Sequence, residues 1–213
     1  TGNNLMSKYS SYLNIHFPTD FNLQKRAIFR LKFEEIFFNQ LIFHLKKNKI
    51  KSKRKFCFPK IDLKFNSFYR NNLNFELTSS QKNVLKEIRN DFRNGKQMTR
   101  LLQGDVGSGK TIVSLMAMLI AIDNGYQCCL VAPTEILANQ HFDSFNQYLN
   151  GLNLNIELLT GSTKRSKRVN LFDDLKKGVL NILIGTHAIF EKNVIFKNLG
   201  FAVIDEQHRF GVK

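Results

Sequence analysis

The stretch Gly104-Asp105-Val106-Gly107-Ser108-Gly109-Lys110-Thr111 has the glycine, lysine and hydroxyl spacing of a Walker A phosphate-binding loop. Glycines let the backbone wrap closely round a phosphate, so that successive N–H groups and the N-terminus of the following helix face the anion. Lys110 supplies a point charge for the β- and γ-phosphates, and Thr111 a hydroxyl ligand for magnesium. A loop of this kind needs an acidic partner. Phe201-Ala202-Val203-Ile204 is a short apolar run ending in Asp205-Glu206. An Asp at the carboxyl end of a buried strand is placed to hold magnesium through water. The adjacent Glu206 can orient or deprotonate the attacking water. Together they describe a magnesium-dependent site that hydrolyses a nucleoside triphosphate.

These residues need a scaffold, and the pattern after Leu77 provides one. Helices are expected over Thr78–Phe92, Thr111–Ile122, Glu135–Tyr148 and Lys164–Lys177. Strands are expected over Arg100–Gln103, Gln127–Ala132, Leu154–Leu159, Asn181–Ile184 and Phe201–Ile204. Strand and helix alternating in this order specify an α/β fold with a parallel sheet between helices. The phosphate loop falls between a strand and a helix, the context that separates a functional loop from a chance match. Before Leu77 the pattern differs. Pro18-Thr19-Asp20 starts a helix, and Leu23, Ala27, Leu31, Ile36, Leu41 and Leu45 recur near helical spacing, giving one long helix from about Phe21 to Lys47. So apolar a helix must pack on something else in the protein. The basic run Lys46 to Lys55 reads as a loop. The chain thus divides into 1–76, a helical linker region, and 77–213, a nucleotide-binding domain.

With these residues in place a resemblance becomes specific. Asp205-Glu206-Gln207-His208 is similar to motif II of superfamily 2 helicases, and its continuation Arg209-Phe210-Gly211-Val212 narrows the match to the RecG family. Ala132-Pro133-Thr134-Glu135-Ile136-Leu137-Ala138-Asn139-Gln140-His141, Leu159-Thr160-Gly161-Ser162 and Ile184-Gly185-Thr186-His187-Ala188-Ile189 resemble further helicase motifs. Ile15-His16-Phe17-Pro18 and Arg30-Leu31-Lys32-Phe33-Glu34-Glu35 resemble the linker that follows the wedge domain of that family, so the likeness covers nearly the whole chain.

The resemblance implies a RecA-like P-loop domain that uses ATP and Mg2+ to drive movement on branched DNA (forks and four-way junctions), in a monomeric parent protein. It implies adenine recognition by Gln81, although Thr78-Ser79-Ser80-Gln81 is also a helix capping box. It implies DNA contacts from Pro133, Thr134, Thr160, Gly161, Thr186 and His187; the residues by themselves would read as ordinary loops and caps. It gives His208 a place in linking the nucleotide site to DNA and to a second motor domain. That second domain, with its arginine finger, and the wedge lie beyond these residues. The expectation is therefore a fragment that binds nucleotide weakly and turns over little.

Composition is compatible with this reading. The formal net charge is +15, and residues 1–76 carry 15 Lys and Arg against 5 Asp and Glu. That excess suits a polyanionic partner. A chain rich in Lys, Asn, Phe and Ile also drifts basic through codon bias alone. Lys164-Arg165-Ser166-Lys167-Arg168 reads as a solvated helix face more readily than as a phosphate contact. Three cysteines form no disulfide framework or zinc knuckle, and Cys128 and Cys129 would point to opposite faces of a strand. No stretch reaches the ~18 apolar residues of a membrane helix, and Thr1–Ser11 lacks the core of a signal peptide, so the expected compartment is the cytoplasm. Three alternatives stand beside the RecG reading. A transcription-repair coupling factor shares the HRFGV tail but usually has Glu at the position of Gln207. A non-helicase P-loop NTPase would not need Gln207-His208. A DNA-binding module with a decayed site would not keep Lys110, Thr111, Asp205 and Glu206 intact.

Overall fold

A computed structural model describes residues 5–50, 57–95 and 97–210, without the side chains of 46–50. The chain forms two compact units, Thr1–Lys53 and Arg54–Lys213.

The first unit pairs helix α1 (Lys8–His16) with the long helix α2 (Phe21–Ile50). Ser7 caps α1 by accepting from the Ser10 N–H at 3.1 Å. Two small residues, Ser11 and Ala27, are fully buried. Glu34 on α2 gathers the Lys8 ammonium at 2.8 Å and the Arg30 guanidinium at 2.7 Å, and Arg30 Nε also donates to Met6 O. The hydrogen bond from Lys8 holds the Glu34 carboxyl below its ordinary range, and Lys8 is raised in return. The long helix matches expectation and extends to Ile50. Of the run expected as a loop, Lys46 to Ile50 is therefore helical, and 51–55 lies outside the described residues. Apolar side chains from Ile36 to Leu45, among them Phe37, Phe38, Leu41 and Phe43, stay exposed, so α1 does not supply the packing this helix calls for.

The second unit is built on four parallel strands, β1 (Gln127–Val131), β2 (Ile156–Leu159), β3 (Ile182–Gly185) and β4 (Leu199–Ile204), in the order β2-β3-β1-β4. Helices α3 (Leu63–Ser67), α4 (Ser79–Arg93), α5 (Lys110–Asp123), α6 (Glu135–Tyr148) and α7 (Arg165–Lys177) surround it. Alternate strand residues feed opposite faces. Cys128, Leu130, Ile182 and Ile184 join a core with α4, α5 and α6, while Cys129, Val131 and Leu183 join Leu171 and Leu175 of α7. Helix α5 is apolar all round, with Ile112, Val113 and every residue from Leu115 to Ile122 buried, as befits a helix enclosed by other elements. Buried Gln127 joins three segments: its amide donates to Leu175 O and Leu180 O and accepts from the Asn198 N–H.

The change in sequence pattern at Leu77 and the break in packing do not coincide, because the break falls between Lys53 and Arg54. Residues 57–76 pack into the second unit. Buried Phe58 lies edge-on to Phe92 and tilted against Tyr126, and Phe68 is buried against Tyr148. The Asp123 carboxylate, at the end of α5, accepts the backbone N–H groups of Asp62, Lys64 and Phe65 at 2.9–3.1 Å. These are donors that the first turn of α3 cannot satisfy internally.

One expected element is absent. Arg100–Gln103 forms no strand, since β4 pairs only with β1 among the described residues. Local interactions draw the segment elsewhere. The Arg100 guanidinium is held by Asp91 and, at 2.6 Å, by Glu87 on α4, while Leu101 is 79% exposed. Leu102 alone packs against the core.

Cysteine chemistry follows from the burial. Desolvation pushes the Cys129 thiol up to about 12 and Cys128 well above its ordinary value, whereas Cys57 is exposed. At pH 8 a thiol titrating near 12 is only ~10⁻⁴ thiolate, the reactive form. An aromatic disulfide reagent should therefore modify one thiol, Cys57, in the native protein and the other two only in guanidinium. Rapid reaction of all three without denaturant would contradict this packing.

Candidate active site

Parallel strands all end at the same edge of the sheet, and here the register aligns those ends. Val131 stands opposite both Gly185 and Ile204, and Leu159 opposite Gly185. The next residues therefore form a row: Thr160, Thr186, Ala132 and Asp205, spaced by the ~4.8 Å between neighbouring strands. Ladder hydrogen bonds continue into this row, with Thr186 N donating to Leu159 O, Ala132 N to Gly185 O and Asp205 N to Val131 O. Sequence reasoning separated these residues into nucleotide and DNA motifs; the sheet brings them onto one rim.

The phosphate loop leads into the N-terminus of α5, which packs on β1 and β4. Gly107 and Gly109 have φ of +81° and +80°, a left-handed conformation that suits glycine. A Cβ on Gly104 would sit 2.7 Å from Ser108 Oγ, so the loop is also sterically closed to side chains there. The Lys110 ammonium lies inside the loop and donates to Gly104 O and Asp105 O, each at 2.8 Å. Asp105, Val106, Gly107 and Ser108 are exposed at its rim, and Thr111 is half-buried in the first turn of α5.

Gln81 reaches this loop. Thr78 and Gln81 form the expected capping box, with Thr78 N donating to Gln81 Oε1 at 2.8 Å and Gln81 N to Thr78 Oγ1 at 3.2 Å. The Gln81 amide nitrogen donates to Ser108 O at 2.9 Å. The same side chain thus caps α4 and ties it to the phosphate loop.

On the acidic side, Asp205 accepts from His141 Nε2 at 2.7 Å on one carboxylate oxygen and from Glu206 N at 3.0 Å on the other. Glu206 takes a left-handed backbone, φ +49°, uncommon for a residue with a side chain. Its carboxylate lies 3.3 Å from His208 Nε2 and 3.6 Å from Arg209 Nε, and His208 is largely exposed. Among the described residues no three or more His, Cys, Asp or Glu side chains are placed so that together they could hold a metal ion. The donors are a hydroxyl, Thr111, and a carboxylate, Asp205. This sparse all-oxygen set fits magnesium, which is bound by one or two protein ligands together with phosphate and water.

The residues expected to contact DNA are placed unevenly. Thr134 is the N-cap of α6 and accepts from Leu137 N, and beside it Pro133 is half-buried. Gly161 and His187 are exposed. Thr160 and Thr186 are buried at 3% and 2%. The Thr160 hydroxyl bonds to Ser162 Oγ at 2.9 Å, and that of Thr186 has no partner among the described residues. The exposed members of the set, rather than these two hydroxyls, form the surface.

Sequence reasoning missed the side chains that hold this rim together. Glu135, in the first turn of α6, accepts from Ser162 N at 3.2 Å and Ser162 Oγ at 2.8 Å. Arg168, taken with its neighbours as part of a solvated face, is instead enclosed. It donates to Thr160 O at 2.8 Å and Thr163 O at 3.0 Å, and engages both Glu191 oxygens at 3.0 and 2.8 Å. Lys164, Arg165 and Lys167 do stay exposed, Lys167 pairing with Glu157 at 2.9 Å. His141 and Glu135 lie within the motif-like stretch 132–141, but nothing in one sequence says which of its side chains turn inward.

A model of the DEAD/DEAH box helicase family matches residues 78–213. The chain belongs to the DEAD/DEAH box helicase family. Within it the likeness is to the RecG branch. This helicase chain is 42% identical over 206 residues to ATP-dependent DNA helicase RecG of Aquifex aeolicus, covering 93% of this chain and 26% of that protein. It is 42% identical over 209 residues to the RecG of Thermotoga maritima, covering 98% of this chain and 27% of that protein. A solved structure described as RecG bound to a three-way DNA junction superposes with a TM-score of 0.80 at 38% identity, covering 98% of this chain and 28% of the other. The helicase chain thus spans about a quarter of the length of these relatives. The superposition accords with a RecA-like α/β domain preceded by a long helix.

Replacing Arg168 tests whether its contacts hold the rim. Arg168→Ala leaves Thr160 O and Thr163 O without this donor and should cost about 1–3 kcal/mol in a urea melt. Arg168→Lys should recover little of the loss, because a point ammonium cannot reproduce the fork. Wild-type stability in both variants would return Arg168 to the solvated class.

Proposed function

We propose that the chain is the ATP-binding motor portion of a DNA helicase that hydrolyses ATP to remodel branched DNA, by branch migration of four-way junctions and regression of forks. The observation that carries this reading is the joint placement of a phosphate loop and, on the rim of the same sheet, Asp205-Glu206 beside the DNA-motif segments. The RecG likeness, which includes a relative described as bound to a three-way junction, supports the substrate class.

In this mechanism the backbone N–H groups of 104–109 and the start of α5 cradle the phosphates. Lys110 exchanges its two carbonyl partners for phosphate oxygens, and Gln81 sits beside the loop where an adenine would be read. Thr111 and Asp205 would hold magnesium, which when bound neutralises charge on the phosphate oxygens. Glu206 would orient and deprotonate the attacking water, leaving its loose, exposed contacts with His208 and Arg209 to do so. DNA phosphates would meet Pro133, Thr134, Gly161 and His187 at the surface, with Thr160 and Thr186 shaping the rim beneath.

Residues 1–76 would form the linker after a wedge domain and 77–213 the first of two motor domains, in a cytoplasmic, monomeric parent. The arginine finger would come from the second motor domain and is worth ~10³–10⁵ in rate in other NTPases. The isolated chain should therefore turn over little.

ATPase assays of the full-length parent without DNA, and with linear duplex, a fork and a four-way junction, test the reading. Branched DNA should stimulate most. Lys110→Ala should lower the rate by about 100-fold or more, the scale of losing a preorganised electrostatic group. Glu206→Gln should lose about 10²–10⁴ in kcat while still binding nucleotide. Equal stimulation by any duplex would favour a coupling-factor-like translocase, and no DNA dependence would end the helicase reading.

A further inference from the structure

Motif likeness gives roles to the loop, the acidic pair and the rim, but none to His141. This residue lies midway along α6 with a side chain only 15% exposed, its ring edge-on to Phe145. Its Nε2 is 2.7 Å from Asp205 Oδ2, a contact between residues 64 positions apart in the chain. An ionised carboxylate only accepts, so Nε2 carries the proton and donates. The other oxygen of Asp205 is taken by the Glu206 N–H, and its backbone is fixed to Val131 O. Among the described residues, His141 therefore supplies the one side-chain hydrogen bond to the Asp205 carboxylate and, with Glu206 N, sets the plane of that group.

The helix that carries His141 is anchored at its other end. Thr134 caps it, and Glu135 in its first turn binds Ser162 twice. A rise of six residue steps of α-helix, ~9 Å, separates Glu135 from His141. The loop that Glu135 grips, 160–163, is held in turn by Arg168, which reaches Glu191 beyond the His187 segment.

We propose that His141 is a positioning residue of the nucleotide site. It aims the Asp205 carboxylate, and α6 connects that carboxylate rigidly to the 160–163 loop on the rim. The proposal rests on the nucleotide-site reading given above. Partners that hydrogen-bond a metal-ligating group orient it, and their loss costs metal affinity without touching the metal. A displacement of the 160–163 loop would move the first turn of α6, and with it the imidazole that aims Asp205. The linkage needs no contact between the phosphate loop and the rim.

The test uses the full-length parent protein with His141→Ala, His141→Gln and Glu135→Ala, and Mn2+ as the metal probe. Mn2+ binding is followed by electron paramagnetic resonance in the presence of ADP. In His141→Ala the Mn2+ affinity should fall about 10-fold or more. Affinity for a fluorescent ADP without metal should not change, because that depends on the phosphate loop. In His141→Gln, whose amide can donate to the same oxygen, most of the Mn2+ affinity should return. Glu135→Ala should keep Mn2+ affinity without DNA but lose most of the stimulation of ATPase by branched DNA.

Wild-type Mn2+ affinity in a folded His141→Ala protein would overturn the proposal. So would equal loss in the Ala and Gln variants accompanied by loss of metal-free ADP binding, which would mean general damage. Undiminished stimulation in Glu135→Ala would overturn the link through α6. Absence of DNA-stimulated ATPase in the wild type would instead remove the helicase reading and leave the Mn2+ result standing by itself.

Discussion

Parallel pairing of β1 with β3 on one side and β4 on the other is the constraint on which the site depends. In a parallel sheet every strand ends at the same edge, and the connection back must cross a face as a helix. Val131, Gly185 and Ile204 are in register, so the segments after them emerge side by side. Asp205 comes to lie two strand spacings from Thr186 with no special device. A register slip of one residue in β4 would turn Asp205 to the other face and part it from His141. The core on one face of β4 guards against this, because Phe201 and Val203 pack against it while Ala202 and Ile204 are exposed.

Much of this was legible in the sequence, for reasons that differ from element to element. Helix α6 has Thr134 as its cap and an amphipathic body, and it begins and ends where expected. Helix α5 was recognisable from its position after the glycine-rich loop, and β1 from its apolar run. The strand expected at Arg100–Gln103 had the right composition, but pairing is a property of the neighbour. Arg100 instead finds Asp91 and Glu87, and the hydrogen bond it donates to Asp91 raises its affinity for its proton further. Residues 57–76 looked irregular, and their attachment became visible only through tertiary contacts such as the three donors on Asp123.

Within the site the distinction is sharper. Lys110, Thr111, Asp205 and Glu206 stand out in the sequence because the chemistry proposed for them dictates both type and spacing. His141, Glu135 and Arg168 do not, since each reaches, across 23 to 64 positions in at least one of its contacts, a partner of ordinary type. Arg168 sat in a run of four basic residues in which the other three are solvated; charge alone could not single it out. Thr160 and Thr186 show the converse. The resemblance implied DNA contacts from both; their side chains are buried, while the neighbouring Gly161 and His187 reach the surface.

The grip of Asp123 on the start of α3 bears on how the chain could be dissected. The sequence invites a cut at Leu77, where the pattern changes. Such a cut would leave the Asp123 carboxylate facing no amides and would uncover the surfaces that Phe58 and Phe68 now fill, next to Phe92, Tyr126 and Tyr148. A carboxylate stripped of three donors and two vacated aromatic seats would turn the lower side of α5 into a sticky patch. The smallest piece that preserves the motor's own interior therefore begins some twenty residues upstream of its first recognisable motif.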